Sequence, residues 1–427
     1  MDTDDLRERL RAVPGVEPLL PALEGLPAAY LVGGAARDLV RGQRSLDLDV
    51  AIEGDGVLAA QEIARRLGGT TTRHERFGTA TVATERLRVD LASTRTEVYE
   101  GPGTLPKVRW APLRDDLARR DFSVNAMAIG LKGDELGRLH DPQKGLPDLR
   151  EGVLRVMHQQ SFVDDPTRLL RGARYSARLD FPLELETERL ALSAVEDGAL
   201  LTVSGSRIRQ ELLLVLAEPD AGKAVERLVA LGIPRALHPE LDPDPELVAG
   251  AELGAMETDA DRVLAGFAAL VSADPLSLRT WLGRLQLPAP ERDRIAAAAE
   301  SAPRIADALR LRDQRPASQL ARLLADEPPE ALALALALGA PPASILEWSR
   351  RLRHVRLEIT GDDLVRAGVP ESEAIGRALE GTLARKLDGE VDGREQELAA
   401  ALEIAGVDVR PEAEQLPQDA GRDDPRR

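Results

Sequence analysis

The chain has 427 residues, 43% hydrophobic and 30% charged, with a formal net charge of −17, five histidines and no cysteine. That length predicts roughly three domains of soluble, globular composition. The absence of cysteine excludes disulfides, thiolate metal sites and cysteine nucleophiles. The acidic balance argues against indiscriminate nucleic-acid binding, since phosphate contacts rely on Lys and Arg. No DNA partner is expected, and a local basic groove is still allowed, because arginine crowds into residues 109–120 and 168–178.

The N-terminus, MDTDDLRERL, is acidic where a signal peptide would be basic and then apolar, and no apolar run reaches membrane-spanning length. A cytoplasmic protein without membrane contact is expected. Residues 1–24 read as a short amphipathic helix ended by proline-rich turns. From Ala28 to about Gly130, strand-like runs dominate, namely AAYLVGG, DLDVAI, TATVAT, LRVDLAS and VNAMAIGL, with a helix near Leu58 to Leu67. This predicts a mixed α/β head. From about Leu149 to Ile404 apolar residues recur at helical spacing, broken at Pro182, Pro234, Pro239, Pro243, Pro288, Pro328 and Pro341-Pro342. The last segment, VDVRPEAEQLPQDAGRDDPRR, lacks apolar content and reads as disordered.

Within the head, the stretch LVGGAARDLVRGQRSLDLDV runs strand, Gly33-Gly34, helix from near Ala35, then Asp47 and Asp49 on the next apolar strand. Alternate strand residues share a face, so both carboxylates enter one site while Leu46, Leu48 and Val50 face a core. A hard divalent cation takes such oxygen ligands. The side-chain-free Gly33-Gly34 turn lets backbone N–H groups and the helix N-terminus approach a triphosphate. A solvated Asp-x-Asp at a strand end is the alternative. Asp90, in LRVDLAS, offers a third carboxylate that would take a proton from an attacking hydroxyl or complete a shell for two ions about 3.5–4 Å apart; its alternative is a strand-edge Asp bonded to local backbone.

Residues 93–110, STRTEVYEGPGTLPKVRW, read as a Gly-, Pro- and Thr-rich loop, or as a surface connector whose Lys107 and Arg109 touch RNA. In RRDFSVNAMAI, residues 119–129, Arg120 is placed to clamp triphosphate oxygens, and Asn125, on an apolar strand, to hold a ribose hydroxyl or a phosphate. A structural Asn and a solvated Arg pair are the alternatives. In FVDDPTRLLRGARYSARLDF, a helix starting at Pro166 puts Asp165 at its N-cap and Arg168, Arg171 and Arg174 close to one stripe. An Asp acceptor beside an Arg donor matches the Watson–Crick edges of cytosine and adenine and leaves buried groups unpaired against uracil and guanine. The alternative is a capped helix with a salt bridge.

Gly33-Gly34 with Arg37-Asp38, Asp47-x-Asp49, RRDFSVNAMA, DDPTRLLRGARY and SRIRQEL at 206–212 are similar, in that order, to the motifs of the class II tRNA nucleotidyltransferase and bacterial poly(A) polymerase family. The resemblance covers residues 28 to about 215. It implies an α+β chain: a polymerase-β-type nucleotidyltransferase head with a small mixed sheet at 1–148, then a helical neck at 149–218 that reads the base. A helical body at 219–335 and a helical tail at 336–405, holding the tRNA acceptor and TΨC arms, would follow, with 406–427 disordered. It further implies Asp47 and Asp49 as Mg²⁺ ligands, Asp165 and Arg168 as the base-reading pair, and Arg37, Arg120, Arg171 and Arg174 around the nucleotide. Two departures are the shorter Asp164 where the family usually has Glu, and Ala36 where it usually has Val. His140-Asp141 matches the family's ordinary Asp-Pro turn rather than a hydrolase site.

The expected activity is template-independent building or repair of the tRNA 3′-terminal CCA, in whole or in part, from CTP and ATP. A poly(A) polymerase is the alternative, disfavoured by the acidic end of the chain. A non-catalytic RNA-binding scaffold and a calcium-binding Asp-x-Asp protein are further alternatives, the latter lacking the ligands of a twelve-residue loop.

Overall fold

The computed structural model describes residues 3–43, 48–74, 78–311 and 315–406. Asp47 and the segment read as a disordered end therefore lie outside the described residues. Two short helices, α1 (Thr3–Arg11) and α2 (Val16–Ala22), lead into β1 (Ala29–Val32) and α3 (Gly33–Val40). Then come β2 (Leu48–Ile52), α4 (Gly56–Leu67), β3 (Thr70–His74), β4 (Thr79–Ala83) and β5 (Arg88–Ser93). Asp55 starts α4 by accepting from the N–H groups of Val57 and Leu58, and Gly68, at φ +66°, ends it.

The head continues through the pair β6 (Arg95–Val98) and β7 (Lys107–Trp110), α5 (Leu113–Ala118), β8 (Ala128–Gly130) and β9 (Leu139–His140). Seven strands form one sheet in the order β3-β4-β5-β2-β1-β8-β9. It is mixed, because β2 and β5 run parallel while β1 pairs antiparallel with both β2 and β8. One face carries Leu31, Val50, Ile52, Val89, Leu91 and Ile129 into the main core. Tyr30, Val32, Ala51 and Ala128, on the other face, pack against Leu113 and Leu117 of α5. Asp49 and Asp90 lie on that second face.

Two expectations change here. Residues 93–110 form the hairpin β6–β7, with Arg95 opposite Trp110 and Val98 opposite Lys107, because the run of Thr, Val and Trp supports pairing around the Gly-Pro tip. Asn125 lies in the 3₁₀ turn Ser123–Asn125, before the strand rather than on it.

Among the described residues the elements beyond β9 are helices, apart from isolated bridges at Leu154, Val156 and Leu183. Asp141 accepts from the N–H groups of Gly145 and Leu146 and starts α6 (Gly145–Glu151), so the His140-Asp141-Pro142 turn is a structural joint. Next are α7 (Ser161–Asp164), α8 (Thr167–Leu179), α9 (Leu185–Glu196) and α10 (Gly205–Leu216), with α8 packed on α10. Helices Pro245–Thr258, Ala289–Leu311 and Pro329–Ala337 pack together further on. Ile359, Leu364, Val369, Ala378, Ala401 and Leu402 form a separate small core near the end. Among the described residues no helix is long and apolar enough to cross a membrane.

Candidate active site

The head sheet and α8 enclose a cavity of about 380 Å³ lined by Gly33, Gly34, Asp49, Arg120, Asn125, Asp165, Arg168 and Arg171, together with Arg95, Glu97, Tyr99, Pro106, Arg119, Asp121 and Tyr175. At one end, β2 alternates buried Leu48, exposed Asp49 and buried Val50, as the strand period requires. Gly33, at φ +67°, turns the chain from β1 into α3, so the two glycines form the helix's first turn instead of preceding it. A Cβ on Gly33 would stand 3.3 Å from Arg120 Nη1 and 3.7 Å from Asp49 Oδ2, so the missing side chain keeps these groups around one open space.

Arg120 is held by Asp116, whose Oδ2 accepts from its Nη2 at 3.0 Å, while its Nε is buried without a hydrogen-bond partner. Asp116 also accepts from Arg119 and from the Arg95 N–H. Burial alone would raise the Asp116 pKa; the adjacent Arg119 and Arg120 charges outweigh it and hold the carboxyl below its usual range.

The other end is built by α8 and the residues around its start, with Arg207 of α10. Asp165, 7% exposed, accepts from Thr167 N (3.1 Å), Thr167 Oγ1 (2.6 Å) and Arg207 Nη2 (2.6 Å), with Arg171 Nη2 at 3.5 Å. Burial pushes its carboxyl up, but Arg171, the Thr167 hydroxyl and Arg207 outweigh burial and keep it below the ordinary value. Arg168, 3% exposed, donates to Ser161 Oγ (3.2 Å) and the Arg119 carbonyl (2.8 Å), and its Nε lacks a hydrogen-bond partner. Arg171 bridges Asp121 and Asp165, and despite burial those carboxylates raise its pKa.

Several placements differ from expectation. The helix starts at Thr167, so Asp165 caps it from one residue further out than the N-cap. Arg168 N–H donates to the Asp165 carbonyl at 3.0 Å, but among the described residues no side-chain hydrogen bond or ion pair joins the two; each side chain is fixed by other partners. Arg174 does not line the cavity. Spacing three falls about 60° short of a full turn at each step, so the second step carries it about 120° round the helix, onto Glu218 (3.4 Å), Glu211 (3.8 Å) and the Tyr175 ring. Arg37, 2% exposed, is also off the cavity wall: it donates to Asn125 Oδ1 at 2.7 Å and pairs with Asp38. Asn125 in turn donates to Asp121 at 3.3 Å, so Arg37, Asn125, Asp121, Arg171 and Asp165 form one chain of contacts.

Asp90 lies beside the cavity rather than on its wall. It stands opposite Asp49 in the parallel register and accepts a short hydrogen bond from Thr81 Oγ1. A second cavity, about 430 Å³, holds Asp90 with Thr79, Thr81 and Arg88 and shares only Asp49 and Arg120 with the first. Among the described residues no set of three metal-ligand side chains is assembled. Asp49 and Asp90, exposed and at matched register, are nevertheless the hard oxygen donors a divalent cation takes. Sequence reading missed Asp116, Glu97, Tyr99 and Arg207 as site residues. Burial and then neighbouring Glu97 push the Tyr99 hydroxyl up to about 12, so it stays protonated. Only Arg207, inside the SRIRQEL motif, carried a sequence signal.

A family model described as the poly(A) polymerase head domain matches residues 29–155, and one described as a probable RNA- and SrmB-binding site of polymerase A matches residues 180–244. An A-adding tRNA nucleotidyltransferase of Geobacter sulfurreducens is 34% identical over 88% of this chain and 45% of its own length. A CC-adding tRNA nucleotidyltransferase of Deinococcus radiodurans is 31% identical over 89% of this chain and 90% of its own. The chain thus spans about half the length, or less, of the A-adding relatives it matches. An apo CCA-adding enzyme structure aligns over 94% of this chain and 96% of its own, at 32% identity and a TM-score of 0.76. A Thermotoga maritima CCA-adding enzyme complexed with tRNA aligns over 88% of this chain and 91% of its own, at 32% identity and a TM-score of 0.69. The family implies a divalent-metal requirement. With head, motif order and full-length relatives in agreement, the chain belongs to the class II tRNA nucleotidyltransferase family.

Proposed function

We propose that this chain is a template-independent nucleotidyltransferase that builds or repairs all or part of the tRNA 3′-terminal CCA from CTP and ATP. One observation carries the reading: a single cavity is walled by Asp49 and the Gly33-Gly34 turn at one end and by Asp165, Arg168 and Arg171 at the other. Asp49 and Asp47 would hold Mg²⁺, with Asp90 beside them. When bound, that ion lowers the 3′-hydroxyl pKa and neutralises charge developing on the phosphates.

The chain's own groups do the rest. Gly33, Gly34 and Arg120 seat the triphosphate. Asp165 accepts from the exocyclic amino group of cytosine or adenine while Arg168 donates to the adjacent ring nitrogen, and uracil or guanine would set like against like. Arg37 braces Asn125 on the cavity wall, and through Asp121 and Arg171 that chain of contacts reaches Asp165. The 3′ oxygen attacks the α-phosphorus, the bond to the bridging oxygen breaks, pyrophosphate leaves, and the hydroxyl proton passes to Asp90 or to water.

We assign residues 1–148 to the catalytic head, 149–218 to the base-reading neck, and 219–335 and 336–405 to body and tail contacts with the acceptor and TΨC arms. A reducing cytoplasm suits these substrates. Relatives named CCA-adding, with structures holding ATP, CTP and tRNA, support this reading over a poly(A) polymerase. Addition of A alone is a second reading, favoured because the A-adding relatives reach 34% and 46% identity against 31% and 30% for the CC-adding ones. The test uses tRNA lacking CCA, CA or A, with each nucleotide supplied singly and together, and product lengths read on a gel. Extension of the A-lacking substrate alone selects the second reading; extension of none removes both.

A further inference from the structure

The second cavity has no occupant in the scheme so far. It lies over β4, β5 and β2, inside the edge strand β3, and shares only Asp49 and Arg120 with the nucleotide cavity. Its floor follows from strand register: Thr81 lies opposite Asp90, Asp90 opposite Asp49, and Arg88 is two residues back along β5, on the same face. Arg88 is exposed and makes no ion pair among the described residues, in a chain where most head arginines are paired with carboxylates. Its guanidinium is therefore an available bidentate donor about 7 Å of strand from Asp90.

In-line transfer requires the attacking oxygen and the leaving pyrophosphate on opposite sides of the α-phosphorus. With base and triphosphate filling the first cavity and the α-phosphate at Asp49, the attacking oxygen arrives from the far side of Asp49, which is the second cavity. We propose that this cavity receives the terminal nucleotide of the acceptor RNA and that Arg88 grips the phosphodiester preceding it, with Thr81 fixing Asp90 against the 3′-hydroxyl. This rests on the nucleotidyl-transfer reading above. Arg88 is thereby a positioning residue for the acceptor, one nucleotide's reach from the chemistry and without contact to CTP or ATP.

The experiment is steady-state kinetics of Arg88→Ala and Arg88→Lys with the tRNA that the parent extends, together with equilibrium binding of that tRNA and of one trimmed of its single-stranded 3′ end. Arg88→Ala should raise KM for tRNA about tenfold, leave KM for the nucleotide and kcat unchanged, and lower the salt dependence of tRNA binding by about one phosphate contact. Arg88→Lys should restore most of the affinity, and the trimmed tRNA should bind parent and variants alike. A KM for tRNA within twofold of the parent, a fall in kcat alone, or an equal loss on the trimmed tRNA overturns the assignment. A parent that extends no tRNA end defeats the functional reading instead, and the binding comparison still decides Arg88.

Discussion

The two ends of the cleft are built on opposite plans. At the head end Asp49 and Asp90 stand exposed at matched register on adjacent strands, and the Thr81 hydroxyl donates to Asp90. At the other end Asp165 and Arg168 are nearly buried and tied down by side-chain and backbone groups of five residues: Thr167, Arg207, Arg171, Ser161 and Arg119. Under the proposed function the difference follows from the tasks. Charge transfer to and from moving phosphates needs access for an ion and two substrates, whereas discrimination between bases needs hydrogen-bonding groups that do not rearrange to suit the wrong one.

If that contrast is right, substitutions at the two ends should fail differently. Asp49→Asn should cost kcat on the order of 10³-fold, the scale of losing a charge-stabilising group in a transition state, while melting temperature and tRNA binding hold, because the carboxylate is exposed. Asp165→Ala should instead weaken the preference for C or A over U or G by roughly 10–100-fold, matching about 1–3 kcal/mol for an unpaired group. It should also lower the melting point, since Arg207 and Arg171 lose their partner. Competition assays with labelled UTP and CTP check the first effect and calorimetry the second. Equal losses of rate and selectivity at both positions would erase the distinction. Arg37→Met tests the support behind both ends: its buried bond to Asn125 should be worth about 1.5–3 kcal/mol of stability, with a smaller loss of rate.

The legible part of this molecule is the part governed by local period. Leu48, Asp49 and Val50 alternate, glycines mark the β1–α3 turn, and the apolar spacing after Leu149 is helical throughout, so the α+β head and helical remainder were readable from sequence. What escaped depends on partners distant in the chain. Asp165 and Arg207 are 42 residues apart, and Arg37 meets Asn125 across 88. No periodicity announces such pairs. Arg174 was misplaced for a local reason, since a spacing of three drifts round a helix and the stripe ends after two members. The hairpin at 95–110 was hidden by its Gly-Pro tip, whose composition resembles that of an unstructured loop.

The smallest expected effect concerns pH. Asp165 has a depressed folded-state pKa, because its arginine and threonine partners outweigh burial. A depressed carboxylate contributes stability above its unfolded pKa of about 3.9 and loses it only as pH falls through the lower folded value. Base selectivity should therefore stay flat from neutral pH down to about pH 4, the ordinary carboxylate range. Rate, which depends on proton removal from the 3′-hydroxyl, should fall across the same window. Arg207→Ala removes one of the groups holding Asp165 ionised, so it should move the loss of selectivity upward in pH while leaving the pH profile of kcat in place. Selectivity and rate titrating together in the parent would mean that the two ends share one ionisation, and the division of labour along the cleft would have to be abandoned.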